Sequence, residues 1–132
     1  MEYKNIPSME TLNGTVVSFD EETQIGIVRF ETVQAFANAL GGVQGGFLSA
    51  MLDDVCGFVC AAASRRLFST GHMSVDFAHG AKPGDILIGE GSILRIGKRQ
   101  AIVDGVLRRE SDGLLIARAT CHQVFLDTDL KK

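Results

Sequence analysis

Residues 41–63 read GGVQGGFLSAMLDDVCGFVCAAA: a glycine-rich lead-in, an apolar run, and two adjacent aspartates inside it. A helix over about residues 45–63 would be roughly 28 Å long. It would be apolar on nearly every side, so it must lie in the middle of the fold. Carboxylates in such surroundings are costly unless they are paired, hydrogen-bonded or used. The glycine pair leaves the first N–H groups of the helix open, and Asp53 and Asp54 follow two turns later. Backbone donors and a carboxylate on one buried rod suit a site that polarises a carbonyl with an acid beside it.

The sequence on either side supplies the cover for that rod. Residues 15–19 and 24–30 are β-branched and alternate around the acidic turn Asp20-Glu21-Glu22-Thr23, which predicts a hairpin. A short helix is expected near Ser8 to Leu12, and residues 31–39 read as a short helical or irregular piece. After Ser64-Arg65-Arg66 the period becomes two: strands are predicted over residues 72–78, 86–96, 101–109 and 114–126, in meander order. Gly89 and Gly91 interrupt the second of these, where a bulge or bend is expected. Strand runs on both sides of one helix make an α+β domain, an antiparallel sheet of about six strands around a central helix. The domain is placed at residues 13–126, with an N-terminal arm at 1–12 and a polar tail at 127–132. One sheet of this size cannot cover both faces of the helix, so its apolar surplus predicts a partner helix from a second copy of the chain, most simply across a two-fold axis.

Composition narrows the partners. Thirteen basic and 16 acidic residues leave a net charge of −3, which argues against nucleic acid. The polar N-terminus carries no signal-peptide pattern, and two aspartates in the apolar run argue against a membrane span. Cys56, Cys60 and Cys121 have no metal-ligand spacing and read as small buried hydrophobes in a reducing cytoplasm. His72, His79 and His122 fall on strands or strand ends without metal spacing, so no metal is expected.

On the helix, Asp53 shares a face with Ser49, Ala50, Cys56 and Gly57, small residues that leave room for a substrate. Asp54 is rotated by about 100° toward Phe47, Ala50, Met51 and Phe58, where pairing with an arginine or the backbone at an interface is expected. Gly45 and Gly46 would offer unpaired N–H groups at the positive end of the helix dipole.

Four motifs in order resemble a known family. Asn38 is followed six residues on by Gln44-Gly45-Gly46, and Asp53 comes nine after Gln44. Ser74-Val75-Asp76-Phe77 and Ala81-Lys82-Pro83-Gly84-Asp85 follow. The pattern resembles the hotdog-fold acyl-CoA thioesterases of the phenylacetic-acid-degradation (PaaI-like) group, over roughly residues 13–126. The resemblance implies hydrolysis of an acyl-CoA thioester to a carboxylic acid and free coenzyme A, without metal or other cofactor. It also implies a homodimer, usually as a dimer of dimers, with each site shared between two chains. By resemblance, Gly45 carries the oxyanion N–H, Asp53 is general base or nucleophile, and Asn38 holds the water or carbonyl. Ser74 matches an assisting serine, Gly46 lies against the substrate, and Lys98 and Arg99, with Arg108 and Arg109, are candidates for the coenzyme A phosphates. One position departs from the family: Gln44 stands where its members keep a histidine, and it cannot titrate near neutrality. A second reading is therefore a non-catalytic acyl-CoA or small-ligand binding protein on the same fold.

Overall fold

The computed structural model describes residues 6–126; the first five residues of the expected arm and the tail 127–132 lie outside the described residues. Helix α1 (Pro7–Thr11) precedes strands β1 (Gly14–Asp20) and β2 (Ile25–Glu31), the expected hairpin. A 3-10 turn, Gln34–Phe36, leads to α2 (Gly45–Ser64), and then come β3 (Phe68–Phe77), β4 (Ile86–Ile96), β5 (Gln100–Arg109) and β6 (Leu115–Phe125). The strands form a single antiparallel six-stranded sheet, and α2 touches all six of them. This is the α+β hotdog arrangement, a sheet wrapped on one long helix. By length and composition α2 could cross a membrane, but here Met51, Leu52, Val55 and Val59 are fully buried against the sheet.

The strand order is β1-β2-β4-β5-β6-β3, which corrects the expected four-strand meander. Only β4, β5 and β6 run in meander order. β3 crosses to the far edge and pairs with β6, from Phe68 opposite Phe125 to Phe77 opposite Ala117. The connection through residues 78–85 is long enough to cross the open end of the sheet. It is tied down there: the Val43 N–H donates to the Ala81 carbonyl at 2.9 Å, and the Thr32 hydroxyl donates to the Asp85 carbonyl at 2.7 Å. This leaves β4 free to pair with β2 on one side and β5 on the other.

A second correction concerns the glycines of β4. The β2–β4 register runs unbroken past Gly89 and Gly91, and the irregularity of β4 lies between Ile93 and Arg95. The glycines are there for the helix. A Cβ at Gly89 would meet Val55 Cγ2 at 2.6 Å, and one at Gly91 would meet Val59 Cγ2 at 2.8 Å. Gly26 and Gly105 extend the same floor under Val59 and Cys56. Valine in a helix has essentially one side-chain rotamer, so it cannot swing aside. Gly89→Ala is therefore expected to lower the free energy of unfolding by about 1–3 kcal/mol, read as an earlier urea midpoint at unchanged slope. A midpoint equal to that of the parent chain would show that the helix has slack over the sheet.

Cys56, Cys60 and Cys121 are free and buried. The hydrogen bond with Cys121, with burial next, pushes the Cys56 thiol up, and burial pushes Cys60 up to about 11. They are packing groups, as their spacing indicates.

Candidate active site

Gln44 is the extended residue before α2, with φ −62° and ψ 140°, and its side chain does not cap the helix. Its backbone is held by a bond from its N–H to the Phe36 carbonyl at 2.9 Å, and its own carbonyl takes the Phe47 N–H at 3.0 Å. The N–H groups of Gly45 and Gly46 therefore begin the helix without an acceptor among the described residues. The two glycines face different depressions. Gly46 lines a cavity of about 420 Å³ with Gln44, Phe47, Ala50 and Leu12. Gly45 lines one of about 370 Å³ with Phe77 and His79.

Asp53 lies eight residues along the helix and turns toward β3, where it accepts a hydrogen bond from the Thr70 hydroxyl at 3.0 Å. Gly45 and Gly57 face the same strand: a Cβ at Gly45 would be 3.2 Å from the Phe77 ring, and one at Gly57 would be 3.8 Å from Phe68. Because α2 and β3 run in opposite directions, Gly45 lies against the end of β3 and Asp53 against its start. Cys56, expected on the Asp53 face, turns instead to the sheet, toward the Val103 carbonyl.

Asp54 does not find an arginine or the backbone. Its partner is the Ser8 hydroxyl of α1, which donates to Oδ1 at 2.9 Å, while Oδ2 is buried without a partner among the described residues. Burial raises the Asp54 carboxyl above its ordinary 3.8; the Ser8 bond pulls it down and the charge of Asp53 adds to the rise. An acid whose folded pKa exceeds its unfolded one costs nothing below the unfolded value. It loses folding free energy as pH rises from that value through the folded one, and the loss persists at neutrality. Asp54→Asn is thus expected to raise the melting temperature at neutral pH by about 1–3 °C and to leave it unchanged below the ordinary carboxylate range. An equal change at both pH values would show that the charge is not the cause.

The other candidates are distributed as follows. Asn38 builds its own loop: its Oδ1 accepts the N–H groups of Leu40 at 2.9 Å and Gly42 at 3.2 Å. It lines a third cavity, of about 620 Å³, with His79 and Lys82. Ser74 pairs with Thr120, and a register shift between Thr70 and His72 puts it on the opposite face from Thr70. It is therefore not brought to Asp53. Lys98 and Arg99 occupy the β4–β5 turn at the C-terminal end of α2, where Arg66 Nη1 donates to the Lys98 carbonyl at 3.1 Å. Arg109 is engaged elsewhere, by Asp112 at 2.9 Å and Asp85 at 3.5 Å, and it holds the Asp112 carboxyl below its ordinary range. Arg108 bonds the Gly113 carbonyl at 3.2 Å. Among the described residues no group of histidine, cysteine and acidic side chains converges as metal ligands.

Two site residues escape sequence reasoning. Thr70 lies before His72, where the alternation and the expected strand begin, whereas β3 starts at Phe68. Gln123, fully buried, lies 2.8 Å from the Thr70 hydroxyl through its Oε1. Its signal is visible in β6: Ala117, Ala119, Cys121, Gln123 and Phe125 form the inward set, and one member is polar.

The chain is similar to known proteins over most of its length. Residues 40–116, more than half of the chain, match the thioesterase superfamily. The phenylacetic acid degradation-related protein of Ralstonia eutropha JMP134 is 33% identical, with 90% of each chain covered and a TM-score of 0.83. The PaaI protein of Escherichia coli is 18% identical, with 92% of this chain and 90% of that one covered, and shares the fold with a TM-score of 0.83. A Streptococcus mutans protein bound to acetyl-CoA is 24% identical, covers 86% of this chain and 89% of its own, and shares the fold with a TM-score of 0.79. No curated protein sequence matches the chain. The chain belongs to the thioesterase superfamily, as a hotdog-fold thioester hydrolase of the PaaI-like group.

Proposed function

We propose that the protein hydrolyses an acyl-CoA thioester to a carboxylic acid and free coenzyme A, at a site completed by a second copy of the chain. The reading rests on the placement of Gly45 and Asp53 at opposite ends of one edge strand. Within one chain they are about 12 Å apart along the helix axis. An oxyanion donor and the group that attacks the same carbonyl must both lie within a few ångströms of it. β3 is ten residues long and forms one end of the sheet, so its outer edge is open to a strand from another chain. Pairing two copies of β3 antiparallel about a two-fold axis at Ser74, with the register shift after Thr70 kept in each copy, sets Thr70 against the partner's Phe77. That brings Asp53 beside the partner's Gly45. The uncovered helix face favours this edge over the apolar surplus expected from sequence. It carries Gly46, Ser49, Ala50, Asp53 and Gly57, small or polar residues that make room for a substrate.

In this site the thioester oxygen takes the Gly45 N–H, and the positive end of the helix dipole stabilises its developing charge. Asp53 delivers the attack, as a base on water or as the nucleophile itself. With Asp53 as base, the tetrahedral intermediate expels the thiolate of coenzyme A, which takes up the proton removed from water. With Asp53 as nucleophile, thiolate loss leaves a mixed anhydride on Asp53, and a water then cleaves it to the product acid, supplies the thiol proton and regenerates the carboxylate. Single turnover in isotopically labelled water tests for the nucleophilic role: label goes to the product acid if Asp53 is a base, whereas label in Asp53 with an unlabelled product acid shows a mixed anhydride opened by water at the Asp53 carbonyl. Lys98 and Arg99 lie roughly 16 Å beyond Asp53 along the axis, toward the far end of α2. They form no ion pair among the described residues and suit the phosphates at the end of the pantetheine arm. No metal or other cofactor takes part in this scheme, and a dimer of dimers is the expected assembly.

The test is thiol release from a panel including phenylacetyl-CoA and hexanoyl-CoA, followed by subunit mixing. Asp53→Asn and Gly45→Pro chains, each inactive alone, are unfolded together and refolded. Half of the chains pair unlike, and each mixed dimer has one intact site, so about a quarter of wild-type activity should return. No recovery would place the site within one chain. A second reading, an acyl-CoA binder without turnover, is favoured by Gln44 in the family's histidine position; it predicts saturable binding and no released thiol.

A further inference from the structure

Thr70 has one hydroxyl proton, yet two acceptors face it: Asp53 Oδ1 at 3.0 Å and Gln123 Oε1 at 2.8 Å. At the same time Gln123 Nε2 is buried with no acceptor among the described residues, on a side chain with no exposed surface. The two ends of a glutamine amide have the same shape, and only the surrounding hydrogen bonds decide which end points where. Turning the amide over resolves the conflict. Nε2 then donates to Thr70 Oγ1, and the threonine proton is directed wholly to Asp53. The atom left without a partner becomes a carbonyl oxygen, which is tolerated in protein interiors more often than a bare N–H group.

We propose that Gln123 is a positioning residue for Asp53, acting through Thr70. The chain Gln123 Nε2–H to Thr70 Oγ1–H to Asp53 Oδ1 fixes the threonine rotamer from inside the sheet. It ties one carboxylate oxygen and leaves Oδ2 to meet water or the thioester carbon. The register shift between Thr70 and His72 makes this possible: it turns Thr70 to the inner face, opposite Gln123, whereas an unbroken strand would send its hydroxyl outward. A buried amide among Ala119, Cys121 and Phe125 costs stability, so its presence at this position is accounted for by orientation of the acid. The inference rests on the role of Asp53 in thioester hydrolysis.

The experiment is a double-mutant cycle assayed on the best acyl-CoA of the panel, with a melting curve for each variant. Gln123→Met should lower kcat about 10-fold with little change in KM, because the carboxylate is misaimed. Its melting temperature should hold or rise, since an unsatisfied buried amide has been removed. Thr70→Val should lose at least as much activity, Thr70→Ser should restore most of it, and the double variant Thr70→Val with Gln123→Met should be no worse than Thr70→Val alone. If Gln123→Met does not fold, Gln123→Asn, which withdraws the amide by one methylene, should show the same fall in kcat. Wild-type kcat in the folded Gln123 variant, or losses that multiply in the double variant, overturns the relay. Asp53→Asn is run beside them. A dead Asp53→Asn with an unaffected Gln123 variant removes only the relay; an active Asp53→Asn, or no thiol released by the parent chain, removes both readings.

Discussion

Asp53→Asn is expected to lower kcat on the order of 100- to 10,000-fold while the melting temperature and the assembly stay as in the parent chain. Asparagine keeps the size of the side chain and can still accept the Thr70 bond through its amide oxygen. What it loses is the capacity to take a proton or to attack a carbonyl. Asp53 is half-buried and bonded by a single hydroxyl among the described residues, so little folding energy depends on its charge. Asp54 is the control: Asp54→Asn removes a charge one residue away, on a face directed to Ser8, and should leave turnover near the parent level. If the two variants exchange behaviour, the acid that does the chemistry is the one beside α1.

Gly45→Pro should be nearly as damaging, about 100- to 1000-fold in kcat, because it deletes one backbone donor from the oxyanion site. The position is suited to the substitution. Gly45 is the first helical residue, where proline is favoured and where the N–H has no acceptor among the described residues. Gln44 before it has ψ 140°, the extended conformation that a following proline requires. The one conflict is with the Phe77 ring, which sits 3.2 Å from the place of the new Cβ and has to shift by a few tenths of an ångström. A folded Gly45→Pro chain with undiminished turnover would move the oxyanion site away from this N–H. A loss confined to KM would mean that the N–H binds the ground state and the transition state alike.

The parts of this molecule that are local in sequence were legible there. The apolar run with only small and acidic interruptions specified a central helix, and its limits agree with α2 to within one residue. The hairpin, the short first helix and strands β4, β5 and β6 followed from alternation and turn residues. The resemblance carried by Asn38, Gln44-Gly45-Gly46, Asp53 and the two motifs after the helix pointed to PaaI-like thioesterases without any geometry. Where the reading failed, a distant contact had decided the local outcome. Gly89 and Gly91 look like strand breakers, yet they are the surface on which Val55 and Val59 rest. Thr70 falls outside the expected strand, yet β6 recruits it into β3 and a register shift turns it inward.

By itself the sequence determined that one buried helix carries two acids, and that backbone donors open its first turn. Periodicity and the cost of an uncovered apolar rod allow little else. Only the tertiary structure decided what each acid meets. Asp53 faces Thr70 and, behind it, Gln123; Asp54 faces Ser8 with one oxygen left unpaired. It also moved β3 from the start of a meander, beside β4, to the far edge of the sheet beside β6. The physical reason is that helix pitch places side chains in directions, whereas strand pairing, which depends on residues far away in the chain, decides what stands in those directions.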